Sequence, residues 1–274
     1  MCNVVSMVIL YEFIKICLGL FMPEWYKYEG LCAMNQLEKD EILAKVKIWF
    51  RTVIIPNHVK NIKKLSKPKK FNINPFLTPY LAASLSGEFT PESVAKALIY
   101  PRVLGSSITT SFGQNIQTFI STVLNSYGSI VQGIDLEFID ITDGRKKWCQ
   151  AKLGPNTINK DDVITIHDHF RTAKNLGKTN NLPVQQHDLI VGILYGEVTQ
   201  ISNHYKKLRD TYDYPLYIGQ DFWYRLTGDV DFYNDLQKTI NQVSVEANNS
   251  NLIQEIIEKL AATNEIKKIA GVDV

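Results

Sequence analysis

After residue 34 the chain carries a single sulfur-bearing side chain, Cys149; all four methionines and the other three cysteines lie within the first 34 residues. One cysteine in the body excludes a disulfide framework and fits a reducing compartment, so a cytoplasmic protein is expected. An excess of one charge is also lacking. Lys and Arg number 30 against 28 Asp and Glu, a net charge of +2, so any basic surface for a polyanion must be local. Long apolar runs are scarce as well. The strongest, VVSMVILYEFIKICLGLFM, is broken by Glu12 and Lys15, lacks a basic leader, and has no small-residue cleavage pattern behind it. That speaks against secretory and membrane-spanning readings, and no membrane partner is expected. No internal repeat is visible. What is present is an ordinary globular composition, 45% apolar and 21% charged over 274 residues, enough for one large domain or a core with an attached subdomain.

The sulfur-rich head, residues 1–33, is foreign to the body in composition. It is read as an extension upstream of a start at Met34, where MNQLEKDEILAKVKIWF opens an amphipathic helix. A genuine N-terminal helix packed on the body is the other reading. The segment Leu37 to Leu65 reads helical, with Pro56 expected to kink or divide it. It runs into the one basic stretch, with Lys60, Lys63, Lys64, Lys67, Lys69 and Lys70 around Pro68. A solvated helix end and a phosphate-contacting arm both fit that stretch.

Thr90, Pro91 and Glu92 spell a helix start, with a capping residue followed by proline in the first turn. A second start at Thr109 to Ser111 puts Phe112, Ile116, Phe119, Ile120 and Val123 on one helical face, ending at Gly128. A hairpin follows: GIDLEFIDI, the Asp143-Gly144 turn, and KWCQAKL returning antiparallel. Asn159 can cap a helix from about Lys160 to Leu176 with Gly177 as its stop. HDLIVGILYG is the continuous apolar run of a central strand covered on both faces. A short strand, YPLYIG, an aromatic helix from about Gln220, and helices near 231–248 and 251–269 complete the chain. The order predicts an α/β core inside helical additions.

On one face of the hairpin stand groups that a buried strand avoids. Strand alternation puts Asp135 and Glu137 on one side of the first strand and Gln150 and Lys152 on one side of the second. If the hairpin brings these sides together, two carboxylates, an amide oxygen and an ammonium meet at one sheet end. Hard divalent cations prefer such oxygens, with water and substrate phosphate completing the shell. A neighbouring lysine can orient an attacking water, so the set suits metal-assisted phosphodiester hydrolysis.

Asp135, a spacer of fourteen residues, then Gln150-Ala151-Lys152 resembles the PD-(D/E)xK nuclease motif, with Ile134-Asp135 as its first half. INPFLTPY (Ile73 to Tyr80), PRVLG (Pro101 to Gly105), IVGILYGE (Ile190 to Glu197) and YIGQDFWYRLTG (Tyr217 to Gly228) are similar to segments of type II restriction endonucleases that cut GGNCC-centred sites. The resemblance covers roughly Met34 to Gly228. It implies a restriction-endonuclease-like core, a central mixed β-sheet flanked by helices with N- and C-terminal helical additions. A single endonuclease domain over 34–274 is expected, with a catalytic core at about 109–196 and a C-terminal helical part at about 220–270.

The implied activity is Mg2+-dependent cleavage of double-stranded DNA at a short palindromic site by a homodimer, with no nucleotide cofactor. Metal ligands are expected at Asp135, Gln150, Glu137 and the Ala151 backbone carbonyl; catalytic roles fall to Asp135, Gln150, Lys152 and Glu137. Lys63, Lys64, Lys67, Lys69 and Lys70 are the expected DNA contacts. The chain departs from the motif at Gln150, where the family usually has an acid, although glutamine there is similar to nucleases of the Mrr type. Glu137, on the same face, is expected to supply the missing charge. A DNA-binding protein of the same fold with a degenerate centre is the alternative.

Other polar groups are read more plainly. His167 and His169, two residues apart on a helix, are poorly spaced for zinc and are read as surface or DNA-facing polarity. Gln114 stands where related nucleases often carry a helix carboxylate, but is read as solvent-exposed. Lys146 and Lys147 are expected to be solvated beside the turn. Phe222, Trp223 and Tyr224 are expected in the core rather than as a base-stacking platform.

Overall fold

The computed structural model describes residues 33–181 and 183–272. The readings made for residues 1–32 lie outside the described residues. The first helix, α1 (Gln36–Trp49), is capped by Asn35, whose side chain accepts from Glu38 N–H while Glu38 accepts from the Asn35 N–H. It does not break at Pro56. The chain passes through a π turn, Phe50–Ile54, into α2 (Ile55–Lys63). Proline has no N–H and its ring clashes with the carbonyl four residues back; the wider turn, with Ile55 N–H bonded to Phe50 O, accommodates both.

Next come α3 (Leu77–Ser86) and α4 (Pro91–Pro101), the latter capped by Thr90 with Pro91 in its first turn as expected. The second expected start, at Thr109 to Ser111, is not a start. The chain runs from α4 through another π segment, Arg102–Ser107, directly into α5 (Ile108–Gln114), then breaks at Asn115 before α6 (Ile116–Thr122). The Asn115 side chain donates to the Ser111 carbonyl, competing with the backbone for that acceptor.

The hairpin forms as β1 (Leu136–Ile139) and β2 (Lys146–Lys152), pairing Leu136 with Cys149, Glu137 with Trp148, Phe138 with Lys147 and Ile139 with Lys146. Gly144 takes φ 67° in the turn, a left-handed conformation that needs no Cβ, and donates to Asp140 O. Helix α7 (Lys160–Thr179), capped by Asn159, crosses from β2 to the parallel strand β3 (Leu189–Ile193). Gly177 does not stop it; the helix continues to Thr179, and Gly177 is buried inside it. Helix α8 (Asn203–Asp210) leads to β4 (Leu216–Ile218), giving a mixed sheet in the order β1-β2-β3-β4. Every residue of β3 is buried, the expected central strand. The tail holds α9 (Gln220–Thr227), α10 (Phe232–Glu246), α11 (Ser250–Ala261) and α12 (Asn264–Ile269).

Alternation sorts the sheet into two cores. Leu136, Phe138, Cys149, Ala151 and Ile190 pack with Trp49, Phe119, Phe222, Trp223 and Phe232 from α1, α6, α9 and α10. Trp148, Leu189, Val191 and Ile193 pack on the other face with Val163, Ile166 and Phe170 of α7 and Tyr205 of α8. Phe222 and Trp223 are fully buried, and Trp223 Nε1 donates to Leu194 O at 2.9 Å, so this pair is core, whereas Tyr224, expected with them, is exposed on the outer side of α9. A third cluster joins α2, α4, α11 and α12 through Ile62, Val94, Ile99, Ile257, Leu260 and Ile266.

The expectation that Lys147 is solvated is overturned. It is 1% exposed, bonded to Asp143 at 2.6 Å and 3.5 Å from Asp188, which Arg145 grips with two nitrogens. Phe138 opposite it faces the core, and the lysine stem is buried along the sheet while its ammonium reaches the carboxylates. Burial alone would raise the Asp188 carboxyl's pKa, but Arg145, the Gln185 N–H and Lys147 outweigh it and hold the group below the ordinary range.

Candidate active site at the open end of the hairpin

The end of the hairpin away from the turn carries Asp135 beside Ala151, with Gln150 and Lys152 flanking Ala151 on β2. Asp135 N–H donates to Cys149 O at 2.9 Å, which sets the residue one step before β1 proper. Its carboxylate lies along the strand edge, with Oδ2 accepting from Ala151 N–H at 2.8 Å. Oδ1 accepts from Gln117 Nε2 of α6 at 2.9 Å. Each carboxylate oxygen therefore takes one neutral donor and keeps a lone pair. The N–H and C=O of one strand residue point to the same neighbour, so the Ala151 carbonyl also opens on the Asp135 side.

Gln150 is 4% exposed, and its Nε2 lies 2.5 Å from Gly133 O and 2.6 Å from His169 Nδ1. Its Oε1 has no hydrogen-bond partner among the described residues. Lys152, on the same strand face, is partly buried and has neither an ion-pair nor a hydrogen-bond partner among the described residues. An unpaired lysine one residue along the strand from the N–H that holds a carboxylate supplies the two kinds of group that phosphodiester chemistry uses.

Glu137 does not join this set. It pairs with Lys146 at 2.6 Å and accepts from Ser129 Oγ, two residues nearer the turn. Lys146 and Glu137 are diagonal on one sheet face, so the carboxylate finds its cation there instead of at the hairpin's open end. The expected compensation for Gln150 by Glu137 is therefore not what the hydrogen bonds support.

Among the described residues no group of three or more His, Cys, Asp or Glu could hold a metal ion. The donors present are sparser: one carboxylate at Asp135, the free amide oxygen of Gln150 and the Ala151 carbonyl. That set fits a hard, small cation, which takes one or two protein carboxylates and draws the rest of its shell from water and substrate phosphate.

Two residues of this site escaped the sequence reading. Gln114 is the helix position that the family pattern suggests and stays exposed; the break at Asn115 changes the register, so Gln117, one turn on, faces the hairpin instead. His169, expected as surface or DNA-facing polarity, sets its ring against Gly133 and Gln150. Its neighbour His167 stacks on Tyr212 at 4.2 Å and bonds Tyr214. Two residues are about 200° apart on a helix, so the pair diverges as expected.

The basic stretch folds around a concavity of about 700 Å3, lined by Lys60, Lys63, Lys64, Lys67, Lys69 and Lys70 with Pro56 and Val59. None of these six lysines has a carboxylate within 4.0 Å among the described residues, although Lys64 donates to Asn61. A second, polar hollow of about 280 Å3 shares Lys60 and Lys64 and reaches Ser111, Gln114 and Asn115. Gln117, the Asp135 partner, follows in the next turn, so basic surface and hairpin end are linked through α5 and α6.

The family model of type II restriction endonuclease EcoO109I matches residues 44–251, most of the chain. The chain belongs to that family. It is a type II restriction endonuclease, a site-specific deoxyribonuclease that binds double-stranded DNA and works with a divalent metal ion. The mixed sheet between helical layers is the fold expected of it. No curated protein sequence matches the chain. Among the described residues no helix is long and apolar enough to cross a membrane.

Proposed function

We propose that the enzyme hydrolyses DNA phosphodiester bonds with Mg2+ at a short palindromic, GGNCC-centred site, using Asp135, Gln150, Ala151 and Lys152. The observation that carries this reading is the Asp135 carboxylate fixed at Ala151 N–H, with the unpaired Lys152 the next residue along β2. Asp135, Gln150 Oε1 and the Ala151 carbonyl would hold the ion. When bound, it supplies positive charge against the oxygens that become negative as the phosphate is attacked.

The protein's own residues do the positioning. Gln117 and the Ala151 N–H fix the carboxylate of Asp135 so that no side-chain search is needed when DNA arrives. Lys152 directs its ammonium at the phosphate and the attacking water, donating hydrogen bonds where negative charge grows. The lysine concavity holds the duplex backbone through phosphates, and the polar hollow beside it extends that contact toward the hairpin. A palindromic site presents two equivalent strands, which suits two copies related by a twofold axis, each acting on one strand.

The test is digestion of a fully sequenced plasmid with Mg2+, with mapping of the ends and sedimentation of the protein on a duplex carrying the mapped site. Discrete ends at one palindrome and a 2:1 complex are expected. Tight site-specific binding without cleavage at any Mg2+ concentration would turn the reading to a degenerate centre.

A further inference from the structure

Gln150 stands where an acid is usual, and its surroundings show why an amide sits there. The Gly133 carbonyl, 2.5 Å from the side chain, can only accept, so the amide nitrogen must face it. The same nitrogen lies 2.6 Å from His169 Nδ1. Both protons of that NH2 are thereby directed at acceptors, so His169 Nδ1 accepts and the ring carries its proton on Nε2. Oε1 is left as the one uncommitted atom of the group.

The acceptors are themselves locked. Gly133 holds φ 81°, and a Cβ there would come 2.4 Å from the His169 ring, so the histidine packs directly on the glycine backbone. A glutamate at 150 would set a carboxylate oxygen against the Gly133 carbonyl, which repels it, and His169 could bond it only with the ring proton moved to Nδ1. As they stand, both acceptors match an amide and not a carboxylate.

We propose that His169 is a positioning residue: together with the Gly133 carbonyl it holds the Gln150 amide so that Oε1 is the atom offered to the divalent ion. This rests on the reading of Gln150 as a ligand, and the experiment separates the two. Two measurements on the full-length protein without DNA test it. In 15N-histidine-labelled protein, with the His169 signals identified by their loss in His169→Asn, His169 should be the Nε2–H tautomer. In Gln150→Glu it should change to a form protonated on Nδ1. A wild-type ring protonated on Nδ1, or no change in the variant, would overturn the proposal.

The second measurement is Mn2+ affinity. His169→Leu removes the acceptor and should weaken Mn2+ binding by about tenfold or more. His169→Asn, whose Oδ1 can stand in for Nδ1, should recover to within about threefold of wild type and unfold at the wild-type temperature, while His169→Leu, which strands an amide proton, unfolds a few degrees lower yet cooperatively. Gln150→Glu should bind no more tightly than wild type despite its added charge. Unchanged affinity in His169→Leu, or tighter binding in Gln150→Glu, would refute the positioning role. Failure of the underlying ligand reading has a separate signature: Asp135→Asn and Gln150→Ala would leave Mn2+ binding unchanged while the His169 tautomer stays as stated.

Discussion

Replacing Asp135 by asparagine should separate stability from chemistry, because the structure makes the two consequences unequal. The carboxylate takes one hydrogen bond from Ala151 N–H and one from Gln117 Nε2. In the variant, Oδ1 can keep the Ala151 bond while the new NH2 turns to Gln117. The Gln117 side chain is exposed and can rotate its amide to accept. Both hydrogen bonds survive as neutral ones, each weaker than a charge-assisted one by ~1 kcal/mol at most, and part of that difference is offset because no charge is desolvated. A net change within about 1 kcal/mol corresponds to a Tm shift of about 2–4 °C for a domain of this size. The chemical effect is larger. Removing one preorganised charge from a site where charge develops costs about 10²–10³ in rate, or ~2.7–4 kcal/mol. Single-turnover cleavage of the mapped site with saturating enzyme, beside urea unfolding of the same preparations, measures both. Cleavage within tenfold of wild type would remove Asp135 from the active site. A stability loss above about 3 kcal/mol would show that its role is structural.

Neutralising Lys63, Lys64, Lys67 and Lys69 to Gln should weaken binding on all DNA sequences alike and flatten the log-log salt dependence by about 0.9 for each DNA phosphate that no longer meets an ammonium; an unchanged slope in a filter-binding titration would mean that the concavity does not touch DNA. Glu137→Gln should cost less than about 1 kcal/mol, since its Lys146 partner is half exposed, and leave the Mg2+ concentration for half-maximal cleavage unchanged; a tenfold increase would return Glu137 to the metal shell. Asp188 is held below its unfolded pKa of about 3.9, so its stabilisation is fully present above that value and is lost as pH falls through the lower folded value. Asp188→Asn should therefore be about 3 kcal/mol less stable than wild type near pH 7, with Lys147 left short of a buried partner, and the gap should narrow below about pH 4; a gap that stays constant in urea melts between pH 7 and pH 3 would contradict the linkage.

Local physics made much of the fold legible. Caps depend on neighbours three residues away, so Thr90 and Asn159 mark helix starts in the sequence as they do in the structure. Strand alternation is equally local: it placed Gln150 and Lys152 on one face of β2, and the Asp143-Gly144 turn set the hairpin. The continuous apolar run at Leu189–Ile193 announced a strand covered on both sides. These features need only the chain's own geometry and the sign of each side chain's transfer free energy.

Which partners those side chains meet is a different matter, because it depends on residues far apart in sequence. Glu137 and Asp135 share a strand face, yet Lys146 and Ser129 claim the first while Gln117 and Ala151 hold the second. Lys147 is buried because Asp188, 41 positions later, arrives beside it with Arg145 on the other side. Gln117 faces the hairpin because Asn115 interrupts a helix that periodicity alone would have continued. His169 became part of the site when α7 crossed back over the sheet and set its ring on a glycine that leaves room for it. Sequence alone determined the hairpin, the central strand, the capped helix starts and the chemical types at the hairpin's open end, while α3 and α8 carry no signal it read. Tertiary structure decided which of those groups are already committed to one another and which remain for the substrate, since a charge or amide is spent on whichever complementary group packing brings within about 3 Å of it.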